Sequence, residues 1–557
     1  MGKRLTRRDF LAYSLATGVT IWTVHELAGL PLGKKTELQH LLAIDPVNAA
    51  SPIFPQSVAS GDPQPHGITL WTRVEPQQSG PIVLLFQVAQ DPNFKQLVLA
   101  GYAVTTAAKD YTAKVQVHNT ALQPFTTYYY RFIHNNAVSP VGRFKTLPAR
   151  RDHITKVRFA YISCQDYTNG FYTAMRFLST EEVDFVVHLG DYIYEQVYGG
   201  VRPIQALPSG EKVATTLEDY RYLYRTYRSD PNLQRLHEQF AFIAIWDDHE
   251  FANDAYRQYS IDTPDESQNR NPRRRRAANR AWAEYIPAAP DFEPDEGAID
   301  SIQIYRSFVF GDLMELVMTD ERLYRDGPPC GLQEQPTATN LEARYFTPGC
   351  ANLKNPARSM LGKTQRQWFL SKMVKSTRTW KIWGNEVMTL QFKIKAQFSQ
   401  ALFGIPLDLF FTLDQWDGYP AERQFIFSLL DKAGVKNFVT ITGDLHTFIA
   451  GYQLLNFDDP TSKPIGVEFV GGSISSSNIA EQRPDLPTQV VNNVAYASNP
   501  HFKFFNSATH GYTLVEVTPE AMTVTYRSVS TITDLNATVS TLAAFKVPKD
   551  QVLIQPI

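Results

Sequence analysis

Two short segments decide the fold, and in each an apolar run stops at acidic residues: VVHLGDYIY at residues 186–194 and IWDDHE at residues 245–250. Short apolar runs of this kind are typical of buried strands. A carboxylate at the tip of a buried strand is costly unless a cation or a dense set of hydrogen bonds compensates it. We therefore interpret both segments as strands that carry metal ligands at their ends.

From about residue 155, apolar strands alternate with helical stretches, which predicts an α/β layered domain. The predicted strands cover residues 157–163, 185–190, 241–246, 313–319, 380–384 and 438–443. The predicted helices cover residues 218–228, 273–285 and 364–374. Residues 512–529 predict a closing β-hairpin that turns at residues 518–520.

The preceding segment, residues 51–150, predicts strands separated by turn residues and resembles a small fibronectin type III-like β-sandwich. Its predicted strands cover residues 67–74, 82–88, 127–133 and 141–146. We expect four parts in the chain: a signal and leader at 1–49, the all-β domain at 50–150, the α/β domain at 151–510, and at 511–557 a C-terminal β-hairpin that could cap the active site.

The bulk composition excludes some functions. The chain has 557 residues, with 54 Lys and Arg against 56 Asp and Glu, so its charge gives no support for specific nucleic-acid binding. It contains no run of 18 or more apolar residues, so we expect no membrane span in the mature protein.

The N-terminus has the pattern of an export signal. Arg7 and Arg8 precede Phe10 and Leu11, and a mild apolar run extends to Trp22, as in a twin-arginine signal. We expect the chain to use the twin-arginine export machinery and to reach the periplasm, the cell surface or the medium. The alternative is the basic amphipathic start of a cytosolic protein.

The three cysteines fit an exported protein. Cys330 and Cys350 are 20 residues apart, and export makes a disulfide between them plausible. Cys164 is then left over, and a thiol that ligates a metal would account for it.

Candidate ligands follow five predicted strands. Ligands bind at the carboxyl ends of strands in open α/β sheets, so these side chains are expected to meet. The residues at these ends are Cys164, Asp191, Asp248, Asn385 and the pair Asp444 and His446. Taken one at a time, each has a structural explanation as a core, packing or turn residue, and only the convergence favours a metal site.

The donors fall into two chemical groups. Cys164, Tyr194 and His446 offer a thiolate, a phenolate and an imidazole, which suit a transition metal and Fe(III) in particular. The second group offers oxygen alone, which suits Ca²⁺, Mg²⁺ or Mn²⁺; it consists of Asp248, Asn385 and Asp444. Asp191 could bridge the two metals.

Further motifs make a resemblance visible. The chain is similar to the PhoD-like family of alkaline phosphatases and phosphodiesterases, within the calcineurin-like metallophosphoesterase superfamily, from about residue 53 to the C-terminus. The motifs that carry it lie at residues 58–63, 70–73, 163–165, 190–195, 246–250, 274–287, 320–326, 360–368, 416–419, 443–446 and 467–469. Two departures concern the pocket: Asn385-Glu386 replaces a usual Asn-Gln, and residues 471–473 replace a Thr-Pro-Ser pattern.

The resemblance implies a metallophosphoesterase-type layered β-sandwich flanked by helices, behind the small all-β domain. It also implies an Fe(III) and Ca²⁺ site and a catalytic histidine at His249. In the hypothesis that follows, a hydroxide activated by the metals attacks phosphorus in a phosphomonoester or phosphodiester. His249 binds the phosphoryl group or protonates the leaving group, Asp247 orients His249, and Arg325 contacts phosphate.

The sequence leaves other readings open. The chain could be an extracellular module that binds a wall polymer or carbohydrate, with a degenerate catalytic domain. Arg325 could form a structural salt bridge instead of a phosphate contact. We expect a monomer, and the sequence does not separate monoester from diester preference.

Overall fold

The computed structural model describes residues 19–23, 51–77, 79–197, 199–260, 270–290, 292, 302–330, 345–459 and 461–557. The strands are β1 (Val19–Thr23), β2 (Val58–Gln64), β3 (Gly67–Arg73), β4 (Ile82–Ala89), β5 (Leu97–Thr105), β6 (Thr112–His118), β7 (Thr127–His134), β8 (Ala137–Val138), β9 (Gly142–Lys145), β10 (Val157–Ile162), β11 (Phe185–Leu189), β12 (Ala241–Ile245), β13 (Arg306–Phe310), β14 (Met314–Met318), β15 (Tyr345–Thr347), β16 (Trp380–Asn385), β17 (Lys393–Ile394), β18 (Leu409–Thr412), β19 (Phe438–Thr442), β20 (Phe448–Leu454), β21 (Pro464–Val470), β22 (Phe502–Asn506), β23 (His510–Val517), β24 (Ala521–Val529), β25 (Val539–Pro548) and β26 (Gln555–Pro556). The helices are α1 (Thr173–Leu178), α2 (Leu217–Tyr227), α3 (Pro231–Gln239), α4 (Pro272–Tyr285), α5 (Gly362–Lys375), α6 (Ala396–Phe403), α7 (Pro420–Lys432), α8 (Ile479–Gln482) and α9 (Thr488–Ser498).

Two large sheets form the α/β part. One has ten strands in the order β26-β25-β24-β23-β10-β11-β12-β2-β3-β6, and the other has seven in the order β13-β14-β16-β19-β21-β20-β22. β10, β11 and β12 run parallel in the first sheet, as β14, β16, β19 and β21 do in the second. The parallel strands carry the candidate ligands at their carboxyl ends.

The two sheets share one hydrophobic core. Fully buried side chains of the first sheet, such as Val186 and Ile243, belong to the same cluster as Ile382 and Ile441 of the second. The central parallel strands are apolar throughout because both of their faces are covered. The predicted layered β-sandwich with flanking helices is confirmed.

The N-terminal sandwich packs a sheet built around β5-β4-β7 against β2, β3 and β6. Its core contains Leu70 and Val115 on one side and Phe86 and Phe132 on the other. β2, β3 and β6 also extend the ten-stranded sheet, since β2 pairs in parallel with β12. One sheet therefore crosses the expected boundary near residue 150, and long-range pairing of this kind leaves no local signal in the sequence.

The predicted helices and strands agree with the observed bounds within two residues. The hairpin β23–β24 is also confirmed, but β23 pairs with β10 at the centre of the ten-stranded sheet. The strands that the sequence analysis missed include β2, whose Ser-Gly-Asp-Pro run hides its pattern, and β25.

Arg7 and Arg8 lie outside the described residues. β1, inside the expected leader, pairs antiparallel with β5. Among the described residues, no helix combines the length and the apolar character that crossing a membrane requires.

Candidate metal centre

Strand ends at the centre of the molecule hold candidate ligands in an unusual backbone conformation. φ is 58° at Cys164 after β10, 57° at Asp191 after β11, and 60° and 53° at Asp444 and His446 after β19. Residues other than glycine rarely adopt this left-handed conformation, and such strain is concentrated at functional sites. The sharp turns bring side chains from distant parts of the chain to one place.

The first cluster combines sulfur, nitrogen and oxygen donors. One potential ligand atom from each of Cys164, Asp191 and His446 lies within 4.8 Å of the others. The Tyr194 hydroxyl donates to Asp191 Oδ2 at 2.8 Å and lies 3.2 Å from His446 Nε2. Ser476 donates to the same phenol oxygen at 2.6 Å. The four predicted donors therefore meet.

Hydrogen bonds orient His446 for coordination. Its Nδ1 lies 2.8 Å from the backbone oxygen of Ser477, so Nδ1 carries the proton and Nε2 keeps its lone pair. Burial lowers the pKa of His446 to about 4, which keeps the imidazole neutral. A neutral imidazole whose second nitrogen is fixed by a backbone carbonyl is the usual form of a metal ligand.

The second cluster contains carboxylates. Asp191, Asp247, Asp248 and Asp444 each place an oxygen within 4.8 Å of the others, so Asp191 belongs to both clusters. The fully buried Arg322 lies among them: it donates to Asp247 through Nε and to Asp444 Oδ1 through Nη2 at 3.0 Å. Arg322 lies within the motif at residues 320–326, but the sequence predicted no role for it.

The charges of the site fit a bound cation. Burial and the charge of Asp191 raise the pKa of the Cys164 thiol, and burial and the charge of Asp247 raise that of Asp444. Burial also opposes ionisation of Asp248, but the charges of Arg322 and His249 and the hydrogen bond from the Asp254 backbone nitrogen together lower its pKa. Carboxylates and a thiol crowded together without enough positive charge are the donor set that a multivalent cation stabilises.

Close packing and hydrogen bonds hold the loops after β11 and β12 against each other. A Cβ on Gly190 would lie 2.3 Å from the Cβ of Asp247, so only glycine fits there. The carboxylate of Glu250 accepts from the backbone nitrogens of Asp191, Asp247 and Tyr192 at 3.0, 2.8 and 2.7 Å. Glu250 was missed as a site residue, although it ends one of the two deciding segments.

His249 lines the site, but a different acid orients it from the one we predicted. Its Nδ1 lies 2.6 Å from Glu195 Oε2, whereas Asp247 is bound to Arg322. The prediction that Asp247 orients His249 is therefore wrong. Asp247 and His249 are separated by one residue, and their side chains contact different partners, Arg322 and Glu195.

Two other predicted residues have partners elsewhere. The Asn385 amide accepts from Trp416 Nε1 at 3.1 Å and donates to the Val387 carbonyl. Arg325 is buried and donates to Asp414 Oδ1 at 2.6 Å and to the Asp254 carbonyl at 2.8 Å. The geometry of Arg325 corresponds to the structural salt bridge, not to a phosphate contact.

Two acids outside the predicted set join the site. Asp254 and Asp414 each place an oxygen within 4.8 Å of an Asp248 oxygen. Asp254 lies in a loop, and Asp414 follows β18, which belongs to neither large sheet, so the pattern of buried parallel strands did not predict them.

A cavity of about 470 Å³ opens onto the clusters, and its lining includes Asp191, Asp248, His249, Asp444 and His446. Among the described residues, the lining extends no further along the chain than Arg483. The C-terminal segment therefore does not cap this cavity, because its strands complete the ten-stranded sheet.

Cys330 and Cys350 form the predicted disulfide, with their Cα atoms 5.8 Å apart. Cys164 is buried and free of any disulfide. The predicted disulfide is confirmed.

A layered β-sandwich with carboxylate, thiol, phenol and imidazole donors at its strand ends is the arrangement expected of a metal-dependent phosphoesterase. The comparisons with known proteins narrow the class. The chain belongs to the PhoD-like phosphatase family: its residues 159–526 match the PhoD-like phosphatase model and its residues 41–148 match the model of the N-terminal domain of that family. It is an enzyme that hydrolyses phosphoric esters.

Individual relatives agree with this assignment. The chain is 35% identical to alkaline phosphatase D of Bacillus subtilis (strain 168) over 550 residues, which covers 94% of this chain and 86% of the relative. A solved structure of PhoD superposes with a TM-score of 0.78 at 30% identity, covering 92% of this chain and 93% of the other.

Proposed function

We propose that this protein is an exported alkaline phosphatase and phosphodiesterase that uses a pair of unlike metal ions. The convergence of Cys164, Asp191 and His446 within 4.8 Å, with Asp191 shared by a second carboxylate cluster, carries the proposal. A binding module with a degenerate catalytic domain has no support, because the donor set is intact and the family is enzymatic.

The two clusters support different metals. Cys164, Tyr194 and His446 with Asp191 would hold Fe(III), which accepts thiolate, phenolate and imidazole. Asp248 and Asp444 with Asp191 would hold Ca²⁺, with Mn²⁺ or Mg²⁺ as alternatives at an oxygen-only position. Asn385 is retained as a proposed ligand, because its Oδ1 accepts one bond from Trp416 and keeps a second lone pair for a cation. When bound, the cations lower the pKa of water and offset charge on the phosphoryl oxygens.

The residues of the chain supply the rest of the chemistry. His249 lines the cavity with Nδ1 engaged by Glu195, which leaves Nε2–H to donate to the phosphoryl or leaving-group oxygen. The Glu195 carboxylate stabilises the charged imidazolium. Arg322 offsets the charge of Asp247 and Asp444 and holds both carboxylates in place.

The proposal also covers the export of the chain, its division into domains and its oligomeric state. The twin-arginine pattern and the disulfide support export by the twin-arginine machinery to the periplasm, surface or medium. The separate matches to the two family models support a domain division near residue 150. We further propose a monomer, which size-exclusion chromatography with light scattering tests.

Elemental analysis and turnover by the natively exported protein test the function. We expect iron and calcium, a visible charge-transfer band from Tyr194 on Fe(III), and hydrolysis of both p-nitrophenyl phosphate and bis(p-nitrophenyl) phosphate. Stripping the metals should abolish turnover, and restoring both should recover it. Full turnover by metal-free protein would refute the metal-dependent mechanism, and a colourless active enzyme would refute the iron assignment alone.

A further inference from the structure

The lining of the catalytic cavity has two chemically unlike parts. One part is acidic and belongs to the metal centre. The other is aromatic and contains Tyr345, Phe346 and Phe411. The metal chemistry accounts for the first part only, so the aromatic part requires its own explanation.

A small separate sheet builds the aromatic part. In the sheet β15-β18-β17, Tyr345 pairs with Thr412 and Thr347 pairs with Phe410, so Phe346 lies opposite Phe411. Their rings are 5.3 Å apart at 76°, the edge-to-face arrangement that aromatic pairs favour. Phe346 has a φ of 48°, a conformation that bulky side chains rarely adopt.

Other rings hold the two phenylalanines in place. Phe411 stacks on the buried Phe392 at 4.6 Å and 12°, and Phe346 packs at 5.1 Å from Phe403. Phe346 and Phe411 are nevertheless only half-buried, and both line the cavity. The result is a preformed apolar surface, which spares a ligand the cost of ordering it.

The aromatic surface is continuous with the acidic part. The Tyr345 hydroxyl lies 3.0 Å from Asp254 Oδ2, and Asp254 belongs to the cluster around Asp248. A cavity of about 470 Å³ holds a phosphate group together with a ring-sized substituent. A phosphate at the metal centre would therefore place its ester substituent against the rings.

We propose that Phe346 and Phe411 form a subsite for an aromatic or other flat apolar group esterified to the reacting phosphate. The inference rests on the proposed function, because the acidic part must bind the phosphate. It makes the enzyme selective for aryl-type esters over small alkyl esters of equal charge.

Binding of two phosphonates to the metal-loaded protein tests the subsite. Phenylphosphonate and methylphosphonate carry the same charged group and differ in the substituent alone. In isothermal titration calorimetry we expect phenylphosphonate to bind about 10-fold or more tightly than methylphosphonate, as burial of a ring against aromatic residues predicts. Phe411→Ala should reduce the ratio to about threefold or less, while methylphosphonate affinity changes less than about twofold.

Phe346→Ala provides a second route if Phe411→Ala does not fold, with the same expected loss of selectivity. The control is Phe425→Ala, since Phe425 is 47% exposed on α7 and does not line the cavity; its ratio should equal that of the wild type. Equal affinity of the wild type for both phosphonates, or an unchanged ratio in the cavity variants, overturns the subsite. Absence of p-nitrophenyl phosphate turnover refutes the proposed function instead, because the binding ratio does not depend on turnover.

Discussion

The two halves of the metal centre compensate their charges in opposite ways. The half around Cys164, Tyr194 and His446 has no arginine or lysine among its hydrogen-bond partners in the described structure. Besides Asp191 and the contact between Tyr194 and His446, these partners are hydroxyl groups and backbone atoms. In the half around Asp248 and Asp444, Arg322 is fully buried among the carboxylates.

Because of this difference, we expect one half to depend on bound metal and the other to contribute to the stability of the fold. The charge of His249 partly offsets that of Asp191 but does not outweigh burial, and the Cys164 thiol keeps a raised pKa. The first half therefore needs a metal to be fully charged. A cluster built around an arginine is already partly neutralised and contributes to the stability of the folded chain. The first half should therefore respond mainly to metal removal, and the second to loss of the arginine.

Asp191→Asn should have the largest effect, because Asp191 is the residue that both halves share. Asparagine keeps the size of the side chain but loses its charge and one anionic oxygen. We expect kcat/KM for p-nitrophenyl phosphate to fall by about 10³-fold or more, since metals supply several kcal/mol of transition-state stabilisation. Elemental analysis should show loss of both metals. Wild-type turnover with unchanged metal content would contradict the shared role.

Arg322→Met should have the next largest effect, and on stability. It leaves Asp247 and Asp444, whose Oδ1 lies 3.0 Å from Arg322 Nη2, without their buried counter-charge. We expect the free energy of unfolding in urea to fall by about 3–5 kcal/mol. The matched control is Arg158→Met at a partly exposed ion pair, where about 1 kcal/mol or less is expected. An equally small effect at both positions would remove the distinction between the halves.

Cys164→Ser should act on metal content and hardly on folding. The hydroxyl is a harder and much less acidic donor, so iron content and the charge-transfer band should decline while calcium is retained. We expect about a 100-fold loss of kcat/KM, because the binding of one of the two cations is weakened.

Asp444→Asn is the reciprocal variant and should reduce calcium content in preference to iron content. Parallel loss of both metals in both variants would show that the halves are not independent.

The sequence predicted the residues of this centre that lie at the ends of buried parallel strands. Cys164, Asp191 and Asp444 were found because each follows an apolar run directly, and parallel strands bring such positions to one edge. Asp414 was not predicted because it follows β18, a strand outside the two large sheets, and Glu195 was not predicted because only the folded structure shows its contact with His249. Asn385 follows the same pattern as the others, yet the Trp416 indole nitrogen, 31 residues away, engages its amide.

Long-range contacts also limited how much of the fold the sequence could predict. Local periodicity located the helices and central strands, whereas the pairing of β2 with β12 joins segments far apart in the chain. Nothing within either segment specifies the other as its partner. Arg325 illustrates the point for charges, because only the folded structure shows that Asp414 binds it.

Glu195→Gln should have a smaller effect than Asp191→Asn, Arg322→Met or Cys164→Ser. It tests a residue outside both halves. Burial acts to lower the pKa of His249, but the charges of Glu195, Asp248 and Asp191 raise it well above its usual value. Removing the Glu195 charge lowers that pKa, so the proton that His249 donates is lost at lower pH. The basic limb of the kcat/KM profile should therefore move to lower pH, with a loss of about 10- to 100-fold at alkaline pH. Metal content should remain unchanged, which distinguishes a positioning role from ligand loss. A basic limb that stays in place would show that Glu195 does not sustain the charged form of His249.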